Sequence, residues 1–436
     1  MDESHRRKLG PFLATMVVTS SMVGSGVFLL PASLGAIGSI SILGWAAAAV
    51  AAGMIGAVFA LLAIANPGAA GLFSHIRDAF GPCAGFVAGV LYWASCVVAC
   101  VAIALGIAGY LSVFVPFAAK PPGLTITTIA IVWLFVGLNF LGPRVVARMQ
   151  SWTVFLGLAP VLFVAVCGWF FFHPAIFTAS WNVSGRSDLA ILPHATVIAF
   201  WAFLGIEGAI VLAVRVRNPV RDVPVGTLCG LAIATAIYIA ASAAIMGMLP
   251  AAALAKSSAP FADAVVPVLG AAVAGAVALC AMLKASGTLG AAMLLAVETA
   301  ECESVLGRMR PPLAQPAHRA SFGNLMFTGV LTSVLVMMSV SPTLARQFTI
   351  VTNASVVLSV AVYLGSGLAL LRLGAALPRT LRIWSRIAAV LCVLFSVALI
   401  AASETASLVG SAGVVVFALA AYLAIHLRTL NRAKLA

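Results

Sequence analysis

Charged residues are scarce in this sequence. Only 8% of its 436 residues are Asp, Glu, Lys or Arg, whereas 63% are hydrophobic. Soluble domains carry about 25% charged residues, and a soluble core has no use for so much apolar surface. Stretches of roughly 20 apolar residues match the length that a helix needs to cross the hydrocarbon layer. The composition therefore excludes a soluble protein and predicts an all-α protein of the lipid bilayer.

Signatures of several other protein classes are also missing. The eight cysteines form no CxxC pair, and no His or acid near Cys96 and Cys100 completes a metal site. A GxxxxGK[ST] loop is absent, which excludes ATP as the driving force. No histidine lies deep in an apolar stretch, which counts against a membrane enzyme, and rings of acids typical of a cation channel are missing. Basic residues form no face with interleaved aromatics, so we expect no nucleic acid partner. Because the sequence contains no metal-ligand motif and no nucleotide-binding loop, we also expect no metal and no cofactor.

The apolar runs between turn and charge signals predict twelve transmembrane spans. In chain order they cover residues 12–35, 41–66, 84–115, 123–142, 148–172, 193–214, 224–249, 262–298, 324–342, 347–371, 383–403 and 406–427. Two of them, 84–115 and 262–298, exceed 30 residues, which predicts a strong tilt or an extension beyond the membrane.

The distribution of basic residues predicts the orientation. Most of the 24 Lys and Arg residues fall in the N-terminus, in every second connection and in the C-terminal tail. Cytoplasmic loops carry this excess in membrane proteins. We therefore expect both termini in the cytoplasm.

Spans one and six contain glycines at corresponding positions. Span one has Gly24-Ser25-Gly26 and span six has Gly205-Ile206-Glu207-Gly208. Close helix packing is one explanation for glycine at this depth. Paired interruptions in two halves are instead typical of an inverted repeat with broken helices, where exposed amides and helix N-termini bind a substrate carboxylate. We expect a central binding site at these breaks.

Long ordered segments carry a family resemblance. They include MVGSGVFLLPASL in span one, FGPCAGFVAGVLYWASC entering span three, NFLGPRVVARMQ after span four, and FWAFLGIEGA and RNPVRDVP around span six. The chain resembles the amino acid–polyamine–organocation superfamily, and within it the basic amino acid/polyamine antiporters such as the arginine–agmatine type. The resemblance implies one transporter domain in a bacterial inner membrane, and often a homodimer. It also implies a first five-helix repeat in 1–172, a second in 193–371, and two further helices in 383–427.

The resemblance also implies site residues. Those expected to bind substrate are Ser21, Met22, Ser25, Gly26, Ser95, Cys96, Cys100, Ile103, Trp201, Leu204, Ala292 and Ser355. Those expected to act in gating or proton coupling are Tyr92, Glu207, Lys284 and Tyr363. The chain departs from the arginine-antiporter pattern at Ser21 and Cys100, where that pattern has Asn, and at Ala292, where it has Trp. The last two changes predict a smaller-featured, more apolar site, since cation–π attraction to one aromatic is worth about 0.5–2 kcal/mol.

Two ionisable residues fall within predicted spans. Glu207 is interpreted either as a protonated acid bonded to unwound backbone or as a gate whose charge state follows substrate occupancy. Lys284, in span eight, has no counterpart in the arginine-antiporter pattern. It is interpreted either as a snorkelling or acid-paired lysine, or as a built-in cation that couples protons.

Together these features predict a secondary active transporter that works by alternating access. The favoured function is an amino acid/amine antiporter of the arginine–agmatine type. The alternative is a proton-coupled symporter or exporter of neutral amino acids.

Overall fold

A computed structural model gives the fold of the chain. It describes residues 10–24, 26–66, 69, 72–208, 216, 219–301 and 322–435. The α-helices are α1 (Pro11–Met22), α2 (Gly26–Gly35), α3 (Ser41–Ala65), α4 (Leu72–Phe80), α5 (Pro82–Leu111), α6 (Gly123–Asn139), α7 (Pro143–Cys167), α8 (Pro174–Ala179), α9 (Asp188–Phe200), α10 (Pro219–Met248), α11 (Ala251–Leu254), α12 (Pro260–Glu301), α13 (Phe322–Met338), α14 (Leu344–Leu373), α15 (Arg379–Ala401) and α16 (Thr405–Leu435).

These helices confirm the predicted all-α membrane fold. Within the described residues, eight helices are long and apolar enough to cross a bilayer, and shorter apolar helices account for the other spans. Span one consists of α1 and α2, and span six begins with α9; spans four and nine are α6 and α13. The last residues of predicted span six, 209–214, lie outside the described residues.

A Gly-Pro pair marks the start of three helices. Pro11, Pro82 and Pro143 each stand at the first position of α1, α5 and α7. Proline suits this position because a helix leaves its first amide groups without internal partners, so the missing N–H costs nothing. The preceding Gly81 and Gly142 have φ of 93° and 99°, a left-handed conformation that turns the chain sharply into the next helix.

Span eight is not one continuous helix. Gly270 within α12 has φ 81° and ψ 171°, so the helical segments before and after it have different directions. The predicted span 262–298 lies within α12, and the turn at Gly270 adds a change of direction that the prediction of a strong tilt or an extension did not include. The predicted run 84–115 corresponds to α5, a 30-residue helix.

The third span forms the centre of the bundle. In α5, 83% of the most apolar stretch is buried, against 11% for α16. Helix α5 packs against α12 and α14. Helix α16 packs mainly against α5 and α14. Side chains of α5 are therefore placed to line a central site, and α16 faces its surroundings.

Candidate functional site

The first span is interrupted at the predicted position. Helix α1 ends at Met22, Val23 leaves helical geometry with ψ 73°, and α2 starts at Gly26. Gly24 lies within the interruption, its N–H bonded to the carbonyl of Met22 at 2.6 Å. The C-terminal end of α1 carries partial negative charge and the N-terminal end of α2 partial positive charge. Ser25 and the side chain of Ser21, both predicted to bind substrate, lie outside the described residues.

The sixth span is also interrupted where the sequence indicated. After α9 the chain makes one 3-10 turn, Trp201–Phe203. Leu204 is extended with ψ 137°, and Gly205 has φ 107°. That φ lies in the left-handed region, which side chains rarely adopt, so glycine is required at this point of the break. The irregular backbone at Leu204 and Gly205 leads directly to Glu207.

Trp201 closes one side of the two breaks. A methyl group at Gly26 would lie 2.7 Å from the indole nitrogen of Trp201, so the indole rests directly on the start of α2. The opposite edge of the indole meets Phe348 of α14, with ring centroids 6.4 Å apart and planes at 87°. Edge-to-face pairs of this kind are favourable for aromatic rings. Trp201 and Phe348 form a lid across the break of span one.

Glu207 holds the other side of the breaks together. Its Oε1 accepts a 3.1 Å hydrogen bond from the hydroxyl of Tyr92 on α5. Its Oε2 accepts bonds from the hydroxyl of Tyr363 on α14, at 2.6 Å, and from the amide of Gly205, at 3.0 Å. Three donors from three segments thus converge on one half-buried carboxyl group and occupy both of its oxygens. We call Glu207, Tyr92 and Tyr363 the carboxylate clamp.

Serine hydroxyls fix α5 to α14 beside the clamp. Ser355 donates to the carbonyl of Ser95 at 3.0 Å, and Ser95 donates to the carbonyl of Tyr92 at 2.7 Å. Both serines are buried. They position the backbone next to Tyr92. Each hydroxyl already donates its hydrogen within the protein, but its oxygen keeps lone pairs that a donor on the substrate could use.

One face of α5 supplies an apolar wall. Cys96, Cys100 and Ile103 follow Tyr92 at intervals of one helical turn, and all are buried, with Cys100 at 0% exposure. Met22, at the end of α1, is also buried. None of these four side chains carries a charge, and their contact with substrate stays a prediction.

Lys284 lies against the fifth span. The side chain is 2% exposed, and a methyl group on Gly157 of α7 would overlap its stem. Thr288, one turn later, donates to the carbonyl of Lys284 at 3.0 Å, and a methyl group added at Gly24 would lie 3.7 Å from the methyl group of Thr288. Lys284 is therefore one helical turn from the break in span one.

The arrangement of Lys284 bears on its two interpretations. Among the described residues, the ion pairs are Arg77–Asp78 and Arg346–Glu404, neither of which involves Lys284. A snorkelling lysine buries its stem but keeps its ammonium group in water, whereas Lys284 as a whole is only 2% exposed. Ala292, two turns further along α12, is partly buried against the core, and its part in the site stays a prediction.

Several neighbours of the site had no distinct signal in the sequence. Phe348 and Phe59, whose ring meets Tyr363 at 5.2 Å, are ordinary apolar residues of their spans. Gly157 and Thr288 likewise stand out only once Lys284 is placed beside them. A resemblance that assigns ligand contacts does not identify the residues that pack behind those contacts.

Comparison with known proteins agrees with this geometry. The profile of the amino acid permease family matches residues 9–427. A cadaverine/lysine antiporter of Escherichia coli K12 is 38% identical over 267 residues, which is 61% of this chain and 60% of that relative's length. Putrescine transporters PotE of E. coli K12 and Haemophilus influenzae are each 29% identical, over 85% and 83% of this chain and 84% of their own lengths.

The family match covers nearly the whole chain, and the relatives are named transporters rather than enzymes, as the sequence predicted. The breaks in spans one and six and the carboxylate clamp between them fall within the matched region. The chain belongs to the amino acid permease family of the amino acid–polyamine–organocation superfamily.

Proposed function

We propose that this protein exchanges an amino acid for an amine across the bacterial inner membrane by alternating access. The observation that carries the proposal is the carboxylate clamp, in which Tyr92 and Tyr363 from two spans meet Glu207 in the break of a third. An ionisable group at this depth is costly and is usually retained for function. The clamp joins α5 and α14 to span six through these hydrogen bonds. The bonds would break when the helices move apart.

The broken ends provide complementary charges for the backbone of an amino acid. The N-terminal end of α2, beginning at Gly26, attracts a carboxylate, and the C-terminal ends of α1 and α9 attract an ammonium. Trp201 covers this cradle, since its indole rests on Gly26. We assign the carboxylate to the amides after Gly24 and the ammonium to carbonyls near Met22 and Leu204.

The side-chain end of the substrate faces the wall of α5. Cys96, Cys100 and Ile103 form an apolar surface lined by thiols. A methylene stem needs no hydrogen-bond partner at such a surface. A guanidinium would bring five donors to this wall, and Cys100 offers only a weak acceptor. We therefore propose lysine with cadaverine, or ornithine with putrescine, in preference to arginine with agmatine. The names of the relatives support the same substrate class.

Glu207 is proposed as the gate. When charged it accepts from both tyrosine hydroxyls and from the amide of Gly205; when protonated it loses acceptor capacity. Each hydrogen bond to a charged group is worth about 1.5–3 kcal/mol. We propose that protonation, or an arriving substrate ammonium that competes for the carboxylate, weakens these bonds and releases Tyr92 and Tyr363.

Lys284 is proposed as a built-in cation that gains and loses a proton and so couples protons to the break in span one. Its stem lies against Gly157, and Thr288 connects its helical turn to Gly24. Loss of the proton would remove a buried positive charge one turn from α1. A lysine in this position also supports the alternative function, a proton-coupled carrier of neutral amino acids, because it supplies a cation without a substrate amine.

Counterflow in proteoliposomes tests the proposal. Vesicles preloaded with unlabelled cadaverine take up labelled lysine from outside, alongside vesicles loaded with putrescine, agmatine, leucine or buffer alone. The expected result is uptake accelerated by internal diamine and little affected by agmatine or leucine. Acceleration by leucine together with dependence on a proton gradient would instead establish the alternative, and uptake that ignores the internal solute would contradict exchange altogether.

A further inference from the structure

A second cavity opens on the side of the bundle opposite to the N-terminus. It has a volume of about 660 Å³. It lies between the last residues of α2, the first turns of α9 and α14, and the connection between α15 and α16. Ligand sites typically have volumes of about 300–1,000 Å³. The proposed orientation places this cavity, which we call the vestibule, at the outer face of the membrane.

Charged side chains of both signs line the vestibule. Arg186, His194, Arg346 and Glu404 are among its lining residues. Arg346 donates to Glu404 through two nitrogens, at 2.7 and 3.4 Å. The Arg186 guanidinium makes no ion pair within the described part of the chain. The vestibule therefore carries one excess positive charge while His194 is neutral, together with a single carboxylate.

The floor of the vestibule adjoins the lid of the central site. Ile198 and Thr349 line the vestibule; Trp201 follows Ile198 by one helical turn, and Phe348 precedes Thr349 in the chain. Trp201 and Phe348 form the edge-to-face pair described above. A molecule in the vestibule is thus separated from the central site by one aromatic pair.

We propose that the vestibule is an outer subsite that binds the zwitterionic head of an amino acid and rejects a diamine. Arg186 and Arg346 bind the carboxylate, since guanidinium groups match carboxylates in geometry and charge, and Glu404 binds the α-ammonium. A diamine has no carboxylate and carries two positive charges, which the excess positive charge repels. The inference rests on the proposed function and adds that the outer face selects the amino acid before the lid opens.

The subsite gives the exchanger different substrate preferences on its two faces. Released diamine outside is not held beside the lid, whereas amino acid is concentrated there. The equilibrium of exchange is unchanged, because a binding site alters affinities and not the free-energy difference between the compartments. Only the concentration for half-maximal transport at the outer face changes.

Right-side-out membrane vesicles test this subsite. The wild type is compared with the Arg186→Gln, Arg346→Gln double variant, and half-saturating external concentrations are measured separately for labelled lysine and labelled cadaverine. For lysine the expected value rises roughly three- to tenfold. For cadaverine it falls, because Glu404 has lost its partner. Transport of cadaverine by the variant also reports that it is folded.

The matched control is Lys120→Gln, which removes one positive charge from the same face outside the vestibule. The control is expected to leave both values unchanged. An equal shift for the two substrates, no shift in either, or a shift in the control as large as that in the variant would overturn the subsite. Failure of exchange in the wild type itself would instead contradict the proposed function.

Discussion

The hydroxyl of Tyr363 donates a 2.6 Å hydrogen bond to Oε2 of Glu207 and thereby ties α14 to the break in span six. Tyr92 binds the other carboxylate oxygen from α5 at 3.1 Å. The clamp therefore joins three segments that alternating access has to separate. Its members are the first residues to change in an experiment.

Glu207→Gln is expected to flatten the pH dependence of exchange. Glutamine keeps the size of the side chain but cannot change charge, and one of its two polar ends donates instead of accepting. The measurement is the initial rate of lysine–cadaverine exchange from acid to neutral pH. A wild-type pH profile in this variant would refute the gating role of Glu207.

Tyr363→Phe is expected to slow exchange about tenfold or more, because it removes one hydrogen bond to a charged group. The matched control is Tyr422→Phe on α16, whose ring stacks with His426 and lies away from the clamp. Equal rates in the two variants would show that the Tyr363 hydroxyl does not contribute to transport.

Gly26→Ala is expected to abolish transport. The added methyl group would lie 2.7 Å from Nε1 of Trp201, so the lid has to move off the break. Adding Trp201→Phe to this variant should restore part of the exchange rate, because the smaller ring vacates the space. Gly137→Ala in α6, where a methyl group meets nothing within 4 Å, serves as the control. Full activity of Gly26→Ala alone would contradict the placement of the indole.

Lys284→Met is expected to retain the fold and to lose the response of transport to an imposed proton gradient. Methionine preserves an unbranched stem against Gly157 and removes the charge. Gly157→Ala should reproduce the loss in part, because the new methyl group displaces the same stem. The measurement is labelled lysine uptake with and without an inward proton gradient. Unchanged coupling in Lys284→Met would exclude Lys284 as the coupling group.

His75 makes the docking of α4 depend on pH. The imidazole is 1% exposed, and neither ring nitrogen has a partner among the described residues. Burial lowers the pKa of His75 below its ordinary 6.5, although nearby Asp78 acts in the opposite direction. The undocked imidazole therefore takes up a proton more readily than the docked one, and docking loses free energy as the pH falls below about 6.5.

Hydrogen exchange of the amides in 72–80 measures this effect. After correction for intrinsic exchange rates, protection should fall as the pH falls below about 6.5 in the wild type. In His75→Gln, which is uncharged at every pH used, the decline should be smaller. Protection that rises toward acid pH would mean that the protonated imidazole is the favoured form.

The sequence predicted those features that depend on which residue type lies in the middle of a membrane span. Glycines at Gly24–Gly26 and Gly205–Gly208 predicted both breaks, because irregular backbone in a membrane needs glycine and a cavity. The resemblance placed Tyr92, Glu207 and Tyr363 together, and the structure joins them by hydrogen bonds.

Features that depend on three-dimensional packing were not predictable in the same way. Gly270 stands in an apolar run whose composition is the same for a straight helix and for a kink, so its φ of 81° gave no signal. The contact between Lys284 and Gly157 joins residues 127 positions apart through helix packing alone. The vestibule is assembled from several connections, each too short to carry a motif.

Efflux of labelled cadaverine from preloaded proteoliposomes tests the central claim most directly. The account predicts slow loss into buffer, rapid loss when lysine is added outside, and no acceleration by lysine in Glu207→Gln vesicles at a pH where the wild type is active. Equally rapid loss with and without external lysine, or full acceleration in Glu207→Gln, would contradict exchange through a site gated by the carboxylate clamp.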